Sequence, residues 1–124
     1  MRLEGLPVDV VVVVVEPTAK SLEVGRRAAD LVREGSLGSL MVTANRVRDE
    51  DDVARVTAAF PGVDVVIVPE DAAIVDAERQ GAAPLDVAPH APGTRALVGL
   101  AERLLAMTPP ALELPAWRRA LPLG

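Results

Sequence analysis

Apolar residues in this chain fall into blocks of two kinds. Val8–Val15 reads VDVVVVVV, with six valines in a row from Val10; Ser39–Ala44 reads SLMVTA; Val63–Val68 reads VDVVIV. Each block is short and rich in β-branched residues. Each therefore predicts a strand. Val8–Val15 shows no alternation, which predicts burial on both faces, as in a central parallel strand. Between the blocks the apolar residues recur at helical spacing. Leu22, Ala28, Leu31 and Val32 predict the inner face of a helix over roughly 19–34, capped by Thr18 or Ser21 and ended by Gly35 and Gly38. Asp49, with acids at 50, 51 and 52, predicts a capped helix to about Phe60, with Val53, Val56 and Phe60 inward. Asp71 predicts the cap of a short helix to Gln80, with Gly81 as its stop. Thr94 predicts the cap of a last helix, Arg95 to about Met107, with Leu97, Leu100, Leu104 and Leu105 near one face. Residues 82–93, rich in Pro and Ala, predict a loop.

The order β-α-β-α-β-α-α implies right-handed crossovers and one fold class: α/β, three-layer, with a mainly parallel sheet. A single domain is expected over residues 1–107, followed by a tail over 108–124 that holds Pro109, Pro110, Pro115 and Pro122. Trp117 with Arg118 and Arg119 could touch a membrane surface or a partner. The prolines argue instead for an irregular tail that lays Trp117 on the body.

Composition narrows the function. Half of the 124 residues are apolar and mean hydropathy is +0.29, yet the aromatics are only Phe60 and Trp117. The core must be built from Val, Leu, Ala and Ile. The net charge is −5 and no basic stripe exists, which argues against a nucleic-acid partner. The absence of cysteine excludes disulfides, thiolate metal sites and cysteine nucleophiles, and a single histidine excludes a multi-histidine metal site. Met1–Pro7 contains Glu4 and does not resemble a signal peptide. The six-valine run falls far short of the about 20 residues of a membrane span. A cytoplasmic location and no membrane partner are the expectation.

Neither G-x-x-x-x-G-K-[ST] nor G-x-G-x-x-G occurs, and the only lysine, Lys20, follows no glycine-rich loop. His90, in APHAPG, reads as an exposed loop histidine. Three segments do follow predicted strands: Glu16-Pro17-Thr18, Asn45-Arg46 and Pro69-Glu70-Asp71. Ligands bind beyond the carboxyl ends of strands in open α/β sheets. The competing reading makes these residues caps and turns only, with Thr18, Asp49 and Asp71 at helix starts and prolines as strand stops.

The ordered set of pieces over residues 8 to about 105 resembles the C-terminal half of the MinD-like deviant P-loop ATPases. It is most similar in pattern to the carbon monoxide dehydrogenase accessory ATPases that serve nickel insertion. The pieces are Glu16-Pro17-Thr18, Ser21-Leu22, Asn45-Arg46-Val47, Pro69-Glu70-Asp71, and Ala77 to Gly81 with Pro84. The resemblance implies half of a P-loop NTPase-like doubly wound fold. It implies that Asn45 hydrogen-bonds an adenine edge, a task suited to an amide, which both donates and accepts. It implies that Arg46, Pro69, Glu70 and Asp71 flank the base of ATP or ADP. The phosphate loop, its lysines, the Mg²⁺ site and the metal-binding cysteines of the nickel-accessory relatives have no counterpart here, so no catalytic residue is expected and the chain should not hydrolyse ATP alone.

The same resemblance places the strand of Val10–Val15 beside strands of an N-terminal half. Its outer edge is therefore expected to be covered by a second copy, by a separate N-terminal-half polypeptide, or by a rearranged segment. Three readings stand at this point: a half-domain of a MinD-like ATPase, a non-catalytic interaction module that pairs or dimerises through the valine strand, and a complete small α/β domain for another ligand.

Overall fold

The computed structural model describes residues 8–108. The expected tail from Pro109 onward, with Trp117, Arg118 and Arg119, lies outside the described residues. The elements run β1 (Val10–Val15), α1 (Ala19–Gly35), β2 (Ser39–Val47), α2 (Glu50–Ala59), β3 (Asp64–Pro69), α3 (Ala72–Arg79), α4 (Pro84–Val87) and α5 (Pro92–Met107). The three strands form one parallel sheet in the order β1-β2-β3, with Val13 beside Val42 and Val42 beside Val65. Valine-rich blocks become adjacent parallel strands because the helices between them carry the chain back to the same end of the sheet.

This register divides the sheet into two faces. Val13 and Val15, Val42 and Ala44, and Val65 and Ile67 share the first face with Leu22 and Ala29 of α1 and with Val56 and Phe60. The second face carries Val14, Thr43 and Val66 in one row. There Asp64 of β3 pairs with Arg103 of α5, which sets α5 across the sheet from α1 and α2. The result is the expected three-layer α/β fold.

Several expectations are corrected. β1 starts at Val10 rather than Val8, and among the described residues it lies at the edge of the sheet. It is not buried on both faces. Across one row of the second face, exposure falls from 65% at Val14 to 3% at Thr43 and 8% at Val66, because α5 packs over β3 and does not reach β1. In α1 the inward residues are Leu22, Gly25, Ala29 and Val32, while Leu31 points to solvent. Gly25 shapes the inward face. A Cβ there would run into Val15 Cγ1 and press on Phe60 Cζ at 3.2 Å, so the glycine lets α1 sit close on β1, while Leu31, nine residues on from Leu22, falls half a turn away on the opposite face. Ser36, at φ 48°, takes the left-handed position at the end of α1 that was expected of glycine. Val53, Val56 and Phe60 pack inward as expected.

Residues 82–93 are not all loop, because Pro84 opens the one-turn α4 and Pro92 opens α5. α5 therefore begins a turn earlier than Thr94 suggested. Thr94 does not cap it. Instead Thr94 is buried with its hydroxyl unpaired, and the carboxylate of Asp71 accepts from the Gly93 N–H at 2.8 Å. Leu97 and Leu105 are exposed, since α5 covers only the β3 side of the sheet. No helix among the described residues is long and apolar enough to cross a membrane.

Candidate ligand cleft at the strand ends

The three carboxyl ends of the strands open onto one crevice, and each is shaped by local hydrogen bonds. After β1, Thr18 Oγ1 accepts from the Ser21 N–H at 3.2 Å and Ser21 Oγ accepts from the Glu16 N–H at 2.9 Å. The E-P-T-x-x-S stretch thus closes its own turn into α1. After β3, Asp71 Oδ1 accepts from the Ala73 N–H at 2.9 Å and caps α3. Its second oxygen holds Gly93, so one carboxylate ties the starts of α3 and α5 together. A Cβ on Gly93 would lie 2.6 Å from Ile74 Cδ1 and 2.9 Å from Asp71 Cβ, so this join requires glycine.

The end of β2 departs most from expectation. The strand continues through Asn45 and Arg46 to Val47, past its pairing with β1, which stops at Ala44. Between Ala44–Ile67 and Val47–Pro69 it carries one residue more than β3, a bulge. Arg46 sits in that bulge at φ 59°, a left-handed conformation unusual for a residue with a side chain. The Asn45 side chain turns back, and its Oδ1 accepts from the Arg46 N–H at 3.0 Å. The bulge aims the Arg46 guanidinium across the crevice. Its nitrogens stand 3.5 Å from Glu16 and 3.7 Å from Glu70, so one arginine links all three strand ends. The Glu70 N–H donates to the Val47 carbonyl at 2.9 Å and fixes the loop after β3 against the bulge.

A cleft of about 410 Å³ results, lined by Glu16, Asn45, Arg46, Pro69, Glu70, Asp71, Ile74, Val75 and Glu78. All five residues expected to flank a ligand, Asn45, Arg46, Pro69, Glu70 and Asp71, meet in it. A smaller compartment of about 200 Å³ adjoins it, with Glu16, Arg46 and Glu70 in common and Pro17, Thr18 and Arg48 added. Sequence reasoning missed Ile74, Val75 and Glu78. The usable signal was their position in the first turns of a helix that starts directly behind a strand-end loop.

Beneath the cleft lies a second device the sequence did not reveal. Asp52 of α2 is 3% exposed and accepts from the Arg48 backbone N–H at 3.0 Å, with the Arg48 and Arg55 guanidinium groups at 3.4 and 3.7 Å. Arg55 in turn donates to the Pro17 carbonyl at 3.1 Å, so α2 braces the turn after β1. The Arg48 backbone N–H, helped by both guanidinium groups, holds the Asp52 carboxyl below its ordinary value of 3.8 against the opposing effect of burial.

Fold and cleft together define a parallel α/β domain that presents a ligand crevice at its strand ends. Solved structures similar to it include the MinD cell division protein of Aquifex aeolicus, at TM-score 0.62 and 23% identity over 84% of this chain and 47% of that one. The MinC:MinD cell division protein complex of the same organism gives a chain at TM-score 0.67 and 22% identity, over 88% of this chain and 48% of that one. The chain thus has the fold of about half of MinD and spans about half the length of the structures it matches. No family model matches the sequence, and no curated protein does.

Proposed function

We propose that this chain is a MinD-like half-domain that recognises the base of ATP or ADP at its strand ends and does not hydrolyse ATP by itself. The observation that carries this reading is the convergence of Asn45, Arg46, Pro69, Glu70 and Asp71 on one cleft, in a fold like half of MinD. Asn45 Oδ1 keeps a lone pair, and its Nδ2 has no partner among the described residues, so the amide has a donor and an acceptor to offer a purine edge. Pro69, Ile74 and Val75 supply the apolar walls a flat base needs. Phosphate positioning and Mg²⁺ belong to phosphoryl transfer, and these residues hold no glycine-rich loop to supply them, so both would come from outside this sequence. The order of the quoted strand-end pieces favours the nickel-insertion branch of the MinD-like ATPases, and a cytoplasmic setting is part of the same proposal.

The test is a thermal melt of the whole chain with adenine and guanine ligands at millimolar concentration, beside a phosphate-release assay. Adenine ligands should raise Tm, guanine ligands should not, Asn45→Ala should lose the shift, and no phosphate should be released above background. A guanine ligand that works equally well, or an Asn45→Ala variant that keeps the shift, defeats the adenine assignment.

A specific observation supports a second reading. Among the described residues β1 is an edge strand with Val14 two-thirds exposed, which suits an interaction module that pairs with a second copy of the chain or with a separate N-terminal-half polypeptide through Val10–Val15. The similar MinD chain comes from a complex with MinC, which makes a protein partner a reasonable companion to the nucleotide.

A further inference from the structure

We infer, building on the adenine reading above, that this cleft selects against phosphate, so that the chain by itself binds adenosine more tightly than ATP. The base carries the first part of the argument and charge carries the second. The 410 Å³ cleft presents the carboxylates of Glu16, Glu70, Asp71 and Glu78 against the single guanidinium of Arg46. That guanidinium is already shared between Glu16 and Glu70. The adjoining compartment adds one further cation, Arg48, and Arg48 is already matched by Asp52 at 3.4 Å. Every cation at the strand ends therefore faces a carboxylate before a ligand arrives. Lys20, the only lysine, lines neither compartment.

A triphosphate brought here meets surplus negative charge at short range, in a partly enclosed space where screening is weaker than in bulk water. The neutral part of the ligand meets the opposite situation. Asn45 offers its amide to the base, and the ribose hydroxyls are donors for which carboxylates are the natural acceptors. The groups that repel the phosphates are the ones that hold the sugar. In a site of this kind the affinity order runs opposite to that of a site built around a phosphate cradle.

The experiment is calorimetric titration of the full chain with adenosine and with ATP, both in EDTA so that no divalent cation masks the phosphate charge. Adenosine should bind at least about 5-fold more tightly at about 20 mM salt, and the gap should close toward parity at about 0.5 M NaCl as the charges are screened. Glu78→Gln removes an exposed carboxylate that makes no ion pair among the described residues, and should narrow the gap between adenosine and ATP about 2-fold at low salt. ATP binding as tightly as adenosine at low salt, or a gap that salt does not alter, overturns the inference and leaves the adenine assignment standing. Failure of both ligands to bind overturns the adenine assignment, and this inference falls with it.

Discussion

At the scale of single residues, Arg46 and Asp52 do most to define the strand ends. Arg46 holds a left-handed backbone in the bulge of β2, and only glycine does so without steric cost. Arg46→Ala and Arg46→Gly both remove the guanidinium, so comparing them isolates the backbone. The glycine variant should be more stable than the alanine variant by about 1 kcal/mol, read from urea midpoints. Asp52 has a folded-state pKa below its unfolded value. Its contribution is therefore complete above that unfolded value, near pH 4, and is lost as pH falls through the lower folded value. Urea midpoints of the native chain should fall below about pH 4 more steeply than those of Asp52→Asn, with the two chains differing most above pH 5. Equal slopes would show that Asp52 does not couple folding to protons. The acids after Asp49 were legible as a helix start. That the third of them turns inward to hold Arg48 and Arg55 was not, because the partners come from the strand end and the next turn of the helix.

At the scale of elements, the spacing between α1 and β1 depends on Gly25. Gly25→Ala gains about 1 kcal/mol in helix propensity, yet it drives a methyl into Val15 Cγ1. The net loss should be about 2 kcal/mol by chemical denaturation, and adding Val15→Ala should return part of it, because the second change makes room for the first. Strictly additive losses would show that the two sites do not touch in this way. The extents of most elements were readable from the chain. β-Branched runs specify strands, and Thr18, Asp49 and Asp71 cap the helices they were expected to cap. Thr94 misled because a capping residue is recognised by type, whereas the cap of α5 is supplied from Asp71, more than twenty positions earlier in the chain.

At the scale of the whole molecule, among the described residues the second face of the sheet is covered over β3 and bare over β1. Val14 is the sharpest sign of this, an apolar residue exposed beside fully covered neighbours in its own row. Replacing it with lysine should change monomer stability by no more than about 0.5 kcal/mol, since the position is already wet. The same change should weaken any concentration-dependent association seen by sedimentation, because a charge on an edge strand opposes pairing. Association that Val14→Lys leaves untouched would place the contact elsewhere on the surface. The cleft belongs to this scale too, since its walls come from β1, β2, β3 and α3 and no two neighbouring segments of sequence make it.

The sequence by itself determined the alternation of strands and helices, the parallel sheet and three-layer α/β class, and the three strand-end segments that could meet a ligand. These are local properties: side-chain branching, apolar period and capping chemistry act within a few residues. Tertiary structure alone decided that β1 is an edge strand with a bare face, that β2 runs on into a bulge which swings Arg46 between Glu16 and Glu70, and that Asp71 spans two helices. Each of those depends on which segments become neighbours in space. An unbroken row of valines specifies a strand but not whether both of its faces, or both of its edges, will find a partner.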